Sequence, residues 1–340
     1  MLILKKRYIS YLLATGLLFL FLSRADWRVL EAELGRFEWT LLILAIAIRF
    51  LSLVAASLRW RALLTPLKMV ALAPIFSATM IGISADTLVA MQSAEFIRPY
   101  LVSRWESIPF NSTLATVVVE WFVDLLGILA LLVPATMVFR VSGLDGSSSH
   151  LAPVNRAVPF VLAASLLALG LLWFLSRQAT KTGGFLHGND LTKPPMCEGR
   201  VSGWVGSFSR GLEVMRQPKR LMQITFYSVL SSFLVGLCTW VVLKSFGLTI
   251  PFWASFILLG FIALGGLVPT PGAVGGFHAA CQFGLAVVFH VDPARTILPV
   301  LGLHAILYVP PTLLGIFYIG RKGLTLGTIE EDAAAASLGG

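Results

Sequence analysis

Charge is scarce in this sequence of 340 residues, because Asp, Glu, Lys and Arg together supply only 13% of it. A soluble globular domain carries about 25% charged residues. Hydrophobic residues make up 57% of the chain, so the composition excludes an ordinary soluble domain and predicts an integral membrane protein. The alternating apolar and polar pattern of membrane barrel strands is absent as well, so we predict an all-α fold.

Cysteine is also scarce, with Cys197, Cys238 and Cys281 far apart along the chain. This spacing excludes a disulfide framework and the paired ligands of a zinc site. The glycine-rich stretches lack the Lys-Ser/Thr pair of a nucleotide-binding loop and the spaced glycines of a Rossmann fingerprint. We therefore predict no metal, no cofactor and no nucleic-acid partner.

Apolar runs long enough for a membrane-spanning helix, about 20 residues each, recur along the whole chain. They predict a polytopic helical bundle of about seven to nine hydrophobic segments. The first segment follows a basic patch but has no small-residue cleavage site, which indicates an uncleaved span. The candidate segments are 7–23, 39–58, 71–93, 111–138, 157–176, 221–246, 252–268, 276–291 and 295–320.

Lysine and arginine predict the orientation of these segments, since both concentrate in cytoplasmic loops. Lys5, Lys6 and Arg7 place the N-terminus in the cytoplasm, and Arg321 and Lys322 place the C-terminal side there too. The localisation that we expect is the inner (plasma) membrane. We predict one membrane domain, a basic cytoplasmic connector and a short disordered tail, which are 1–322, 177–220 within it, and 323–340.

The number of crossings predicts that two stretches of the chain each enter the membrane and return to the side on which they began. With both termini and the connector inside, residues 71–97 must enter the membrane and return, and residues 251–292 must cross twice or form a second hairpin. Hairpins that enter from opposite faces, in corresponding parts of two halves, are typical of the inverted repeats of transporters. The alternative is that the first hairpin is one ordinary span.

Charged residues within the apolar segments mark candidate site positions, since burying charge in a membrane is costly. Glu120 and Asp124 are four residues apart, so a helix presents both on one face. Glu95 and Arg98 are three apart and neighbours on a helix, with an ordinary surface pair as the alternative. Arg49 interrupts the second segment, where a snorkelling or structurally paired arginine is the alternative.

The stretch LVPTPGAVGGFHAA at 267–280 combines proline and glycine within an apolar region. Pro271 removes a backbone donor and the glycines permit turns, so we predict that the chain unwinds here between two half-helices. Amides at the start of a half-helix attract anions such as a lipid phosphate. The alternative is plain helix packing, because Gly272 and Gly276 also form a GxxxG pair.

These elements resemble the flippase-like membrane region of lysylphosphatidylglycerol synthase, over roughly residues 5–322. The matching stretches are SLRWRALL with Arg59, SAEFIRPYLVSR with Glu95 and Arg98, the Glu120–Asp124 pair, VPTPGAVGGFH, and LHAILYVPPTLLG. Three residues depart from the family's motifs. Trp121 and His304 stand where arginine is usual, and His278 stands where glutamate is usual. If that glutamate and arginine form an ion pair in the family, two histidines replace it here.

The resemblance implies movement of a phospholipid or polyprenyl-linked lipid between leaflets, with the headgroup in a polar cavity. The partner is then the anionic or polyprenyl-phosphate headgroup of a membrane lipid. The predicted substrate-binding residues are Arg59, Glu95, Arg98, Glu120, Asp124, Pro271, Gly272, Gly275, Gly276, His278 and His304.

A transporter is favoured over an enzyme, because the aminoacyl-transfer domain of the synthase does not follow Arg321. Two alternatives stay open. The first is an integral-membrane lipid or glycosyl transferase, with Glu120 or Asp124 as general base. The second is an accessory partner of a lipid- or glycan-modifying enzyme.

Overall fold

A computed structural model of the chain describes residues 2–23, 38–89, 94–141, part of the stretch between 159 and 174, and 211–339. Cys197 and most of the predicted connector at 177–220 lie outside the described residues. Regular structure in the described ranges is entirely helical. The predicted all-α fold is therefore confirmed.

The α-helices with described bounds are numbered in chain order. They are α1 Leu2–Leu22, α2 Trp39–Leu64, α3 Leu72–Val89, α4 Ala94–Glu106, α5 Phe110–Val141, α6 Pro218–Ser245, α7 Ala254–Gly266, α8 Gly276–Phe283, α9 Pro293–Arg321 and α10 Leu326–Gly339. Helices α2, α5, α6 and α9 are long and apolar enough to cross a membrane, as is the stretch Pro271–Val288. The protein is a multi-pass membrane protein.

The same order of elements occurs twice along the chain. In each half, a long helix is followed by two shorter helices that form a hairpin, and then by a second long helix. The first half comprises α2, the first hairpin (α3 and α4) and α5. The second half comprises α6, the second hairpin (α7 and α8) and α9. Packing follows the same symmetry, because α3 packs on α9 of the other half and α7 packs on α5.

The two halves are inverted relative to each other, as their first helices demonstrate. The N–H of Glu38, just before α2, donates to the carbonyl of Ser245 at the end of α6, at 3.0 Å. Further along, the Ser231 hydroxyl of α6 donates to the carbonyl of Ser52 in α2, at 3.3 Å. Helices α2 and α6 therefore run antiparallel, and they form the most extensive helix pair of the bundle.

Each hairpin begins and ends on one side of the bundle. Lys68 precedes α3 and Glu106 ends α4, and their side chains pair at 2.8 Å. Trp253 precedes α7 and Phe289 follows α8, with ring centroids 6.3 Å apart. Because α2 and α6 are antiparallel and each runs into its own hairpin, the hairpins enter from opposite sides. Both stretches thus form helical hairpins whose ends meet on one side of the bundle, which fits a hairpin at 71–97 and not one span at 71–93. Re-entry of the two hairpins into the membrane stays a prediction.

The side on which the first hairpin begins and ends is rich in cations, and we call it the basic end. Helix α9 finishes there, with Lys322 Nζ 3.8 Å from the ring centroid of Trp105, near the end of α4. Among the described residues, the cations of the basic end include Arg61, Lys68, Arg104, Lys219, Arg220, Arg321 and Lys322. Their concentration on one side is the distribution that the positive-inside rule associates with the cytoplasm.

The C-terminal tail differs from the prediction of disorder, because Leu326–Gly339 forms α10. Ile329 and Ala333 are buried against the hydrophobic cluster that α4 and α5 help to build. The carboxylate of Asp332 accepts hydrogen bonds from Tyr100 at 2.9 Å and from Arg104 at 3.2 Å. The short, alanine-rich tail sequence contains few large apolar residues. Ile329 and Ala333 nevertheless fall on one helix face and pack against the cluster.

Candidate functional site

Four predicted site residues from three helices meet inside the first half of the bundle. Arg59 projects from α2, Arg98 from α4, and Glu120 and Asp124 from successive turns of α5. We call these four residues the ion cluster. Its formation confirms that the Glu120–Asp124 spacing places both carboxylates on one helix face.

Glu120 is the centre of the ion cluster, because it pairs with both arginines. Arg59 Nη2 lies 2.7 Å from Glu120 Oε1, and Arg98 Nη2 lies 3.1 Å from Oε2. Arg59 also pairs with Asp124 through its other terminal nitrogen. Arg59 is only 3% exposed and Glu120 only 2%, so these charges compensate one another in a region from which water is excluded.

Three neutral side chains support the ion cluster, and the sequence analysis did not select any of them. Trp60 lies beneath Arg98, with the guanidinium carbon 4.5 Å from the ring centroid. The Trp60 indole donates to the Thr116 hydroxyl at 3.1 Å, which fixes the ring. Ser228 of α6 donates to Asp124 at 3.0 Å. Trp60 adjoins Arg59 in the SLRWRALL stretch, so that motif pointed towards it, whereas no local signal marks Ser228.

Two hydrogen-bond donors of the ion cluster lack a partner among the described residues. They are the buried Nε atoms of Arg59 and Arg98. A buried N–H without an acceptor is costly, so an oxygen-rich ligand at this position would be stabilised. The Arg98 side chain is 16% exposed and that of Arg59 only 4%, so Arg98 forms the accessible edge of the cluster.

Glu95 does not join the ion cluster in the way that the sequence predicts. It is half-buried on α4, one turn before Arg98, but Arg98 pairs with Glu120 instead. Within the described part of the chain, Glu95 forms no ion pair. Helical adjacency is therefore overridden here by a tertiary contact between α4 and α5.

The second half of the bundle contains a pair of histidines, whose ring centroids lie 4.6 Å apart. His278 projects from α8 and His304 from α9, and the His304 ring stacks on Tyr308 with a centroid distance of 4.6 Å. Helices α8 and α9 are the counterparts of α4 and α5, which carry Arg98 and Glu120. The two halves thus place an ion pair and a histidine pair on equivalent elements.

Both histidines hold the turn between the arms of the second hairpin. His278 Nδ1 accepts the N–H of Gly275 at 3.2 Å, and His304 Nε2 donates to the carbonyl of Gly272 at 2.8 Å. These two backbone partners require the neutral tautomer with Nε2–H at His278 and a proton on Nε2 of His304. The histidine pair therefore has a structural function at this turn.

The predicted break in LVPTPGAVGGFHAA is confirmed. Pro271–Ala273 forms a short 3₁₀ turn, and Gly272 and Gly275 have φ angles of +56° and +88°, which favour glycine. The packing alternative also holds at one position, because a Cβ on Gly276 would overlap with the carbonyl of Gly265 in α7. Glycine therefore serves the turn at two positions and close helix contact at a third.

The turn and the ion cluster form separate groups. The amide of Gly275 donates to His278, and the first residues of α8 are buried. No hydrogen bond, ion pair or ring contact between described residues joins the turn or the histidine pair to the ion cluster. The first hairpin instead meets the turn through Thr87, whose Cγ2 lies 3.2 Å from a Cβ built on Gly272.

Arg49 lies on α2 away from any carboxylate of the described residues. Its Nε donates to the carbonyl of Leu307 in α9 at 3.1 Å, and Nη1 donates to Ser52 at 3.3 Å. The alternative of a structurally paired arginine fits these contacts. Within the described ranges, no three His, Cys, Asp or Glu side chains lie together as a metal site requires.

A comparison with known protein families gives a match over most of the chain. The family defined by the lysylphosphatidylglycerol synthase transmembrane region matches residues 7–315. No curated protein sequence matches the chain.

Proposed function

Because the chain belongs to the family of the lysylphosphatidylglycerol synthase transmembrane region, we propose that it moves a lipid with an anionic headgroup between the leaflets of the membrane. The lipid is a phospholipid or a polyprenyl-linked lipid. The ion cluster is the observation that carries this proposal, since it offers two arginines with unpartnered Nε donors inside an apolar bundle. Its membrane is the plasma membrane, with the basic end in the cytoplasm.

Arg98 is the residue that receives the headgroup phosphate. Its contacts with Glu120, at 3.1 and 3.2 Å, are longer than the roughly 2.7–2.9 Å of strong charge-assisted hydrogen bonds. The Arg59–Glu120 contact, at 2.7 Å, falls within that range. A phosphate therefore displaces the longer contact, while Glu120 and Asp124 both keep their contacts with Arg59.

A guanidinium binds phosphate through two parallel N–H···O bonds, which fixes the orientation of the headgroup. The Nε of Arg98, which has no acceptor among the described residues, then donates to the phosphate. These bonds replace the water that the headgroup loses on entering the bundle, which lowers the barrier to crossing. The acyl or prenyl chains stay in the surrounding lipid throughout.

The inverted repeat provides the path by which the headgroup passes from one leaflet to the other. Transporters with inverted repeats place the substrate near the middle of the membrane and open to each face in turn. Here the first hairpin carries Arg98 and enters from the basic end, and the second enters from the opposite side. Displacement of one hairpin at a time exposes the ion cluster to one leaflet and then to the other.

Reconstitution in liposomes tests this proposal against its two alternatives. The purified chain is inserted into vesicles that contain a fluorescent phosphatidylglycerol, and dithionite then bleaches the label in the outer leaflet. We expect the protected fraction to fall well below that of protein-free vesicles. If protection is unchanged while a radiolabelled lipid donor is turned over, the transferase alternative is correct. If neither occurs until a lipid-modifying enzyme is added, the accessory alternative is correct.

A further inference from the structure

A pocket of about 390 Å³ opens at the basic end, outside the ion cluster. Its walls come from the last turns of α2, the loop before α3, and the first turns of α6. The residues that line it are Leu58, Arg61, Ala62, Thr65, Met69, Val70, Ala71, Arg220, Gln223 and Tyr227.

The polar part of the pocket is cationic. Arg61 and Arg220 come from two different helices, and Gln223 adds an amide. No carboxylate lines the pocket, and neither arginine forms a salt bridge with any of the residues that the structure describes. Two guanidinium groups without an acidic neighbour are suited to an anion with several oxygen atoms, such as a phosphate.

The remaining wall is apolar and faces outward. Met69, which lines the pocket, is 86% exposed. On α6, Met222 and Phe226 are also strongly exposed, and each directly precedes a lining residue, Gln223 or Tyr227. On a membrane protein such side chains contact lipid. The pocket therefore has a cationic interior and an apolar, lipid-facing rim. An amphipathic anion requires both, one for its charged group and one for its apolar chains.

The pocket lies on the outer side of the helices that build the ion cluster. Arg61 is exposed on α2, whereas Arg59 two residues earlier is buried in the cluster. On α6, Tyr227 lines the pocket and the next residue, Ser228, donates to Asp124 of the cluster. On both α2 and α6, a residue that lines the pocket and a residue of or next to the ion cluster therefore lie within one helical turn, on opposite sides of the helix.

We propose that this pocket binds the phosphate group of an anionic phospholipid from the leaflet at the basic end, with Arg61 and Arg220 as its ligands and the acyl chains along Met69 and Phe226. This inference rests on the proposed function for the class of lipid, and it adds a first binding position before the ion cluster. A site at the rim raises the local concentration of the substrate and selects anionic over zwitterionic headgroups.

Equilibrium binding tests the pocket without any transport. The purified full chain in detergent is titrated with fluorescent phosphatidylglycerol and, separately, with fluorescent phosphatidylcholine. We expect tighter binding of phosphatidylglycerol, and a loss of about tenfold in affinity for Arg61→Gln and for Arg220→Gln, since a hydrogen bond to a charged group is lost in each. Both side chains lie at the surface, and matching thermal unfolding midpoints verify that the variants fold.

Lys219→Gln is the matched control, because it removes one positive charge beside Arg220 without touching the pocket lining. Its affinity should stay within about twofold of the wild type. The inference is wrong if Lys219→Gln weakens binding as much as Arg220→Gln, or if neither arginine variant changes the affinity. It is also wrong if glycerol 3-phosphate binds as tightly as the lipid, since the site would then take a soluble phosphate.

Arg98→Ala separates this inference from the proposed function. We expect this variant to bind phosphatidylglycerol at the pocket with wild-type affinity. Loss of pocket binding in Arg61→Gln, together with wild-type pocket binding in Arg98→Ala, supports the pocket as a site separate from the ion cluster. Wild-type pocket binding in a chain that moves no lipid supports the pocket and overturns the function.

Discussion

The Arg59 guanidinium and the Glu120 carboxylate lie 2.7 Å apart, and both are almost completely excluded from solvent. Glu120 also pairs with Arg98, so one carboxylate contacts two cations from two different helices, and Asp124 supplies the second negative charge. This shared role makes Glu120 the residue whose charge the rest of the ion cluster depends on.

Glu120→Gln should therefore destabilise the bundle strongly. It leaves Arg59 and Arg98 with Asp124 as their remaining carboxylate, and breaking a buried ion pair costs about 3–5 kcal/mol. Glu106→Gln is the control, since the Lys68–Glu106 pair lies at the surface and such pairs contribute about 0–1 kcal/mol. Unfolding of both variants in detergent measures the difference. Equal unfolding free energies would contradict the central position of Glu120.

Gly315→Ala should separate α3 from α9. A Cβ at Gly315 overlaps with the Ser84 hydroxyl and the Met80 carbonyl, and overpacking of this kind costs about 1–3 kcal/mol. Gly320→Ala, on the same helix, meets no atom within 4 Å and should be neutral or slightly stabilising. Thermal unfolding of the two variants tests the contact. A Gly315→Ala protein as stable as Gly320→Ala would mean that the helices are not so closely packed.

We predict that substitutions of His278 and His304 have coupled effects on the free energy of unfolding. His278→Glu and His304→Arg each introduce a buried charge without a partner, so each single variant should be destabilised. Together they introduce opposite charges at two positions whose histidine rings lie 4.6 Å apart, so the two charges then compensate each other. A double-mutant cycle should give a favourable coupling of about 0.5–3 kcal/mol. Simple additivity of the two singles would contradict this interpretation.

Chemical labelling tests whether the two hairpins begin on opposite sides of the membrane. Ser107 lies at the exposed end of the first hairpin, and Thr249 lies exposed just before the second. In a background with Cys197→Ser, a membrane-impermeant maleimide should label Thr249→Cys on intact cells. Ser107→Cys should react only after the membrane is permeabilised. Labelling of both positions from one side would contradict the inverted arrangement.

Much of this fold follows from the sequence because membranes restrict the possible structures. The scarcity of charge predicted helical spans. The distribution of Lys and Arg predicted a hairpin at 71–97, and either two crossings or a hairpin at 251–292. Proline and glycine then marked the break at 267–280. These signals are local, or they are imposed by the bilayer, so they can be recognised in a single chain.

Partners across the bundle were harder to predict. Arg98 was expected beside Glu95, its helical neighbour, but it pairs with Glu120 on α5. Ser228 approaches Asp124 only because α6 packs on α5. The docking of α10 through Ile329 and Asp332 likewise depends on a surface formed by residues more than 200 positions earlier. Such contacts follow from tertiary packing, which no short pattern records.

Lipid movement by an Arg98 variant tests the central claim most directly. Arg98→Ala and Arg321→Ala each remove one arginine, the first from the ion cluster and the second from the exposed end of α9. Both are reconstituted at equal protein density, and the dithionite-accessible fraction of fluorescent phosphatidylglycerol is followed over time. We predict that Arg321→Ala matches the wild type and that Arg98→Ala falls to the level of protein-free vesicles while remaining folded. Wild-type movement by folded Arg98→Ala would contradict the assignment of this arginine as the phosphate-binding residue.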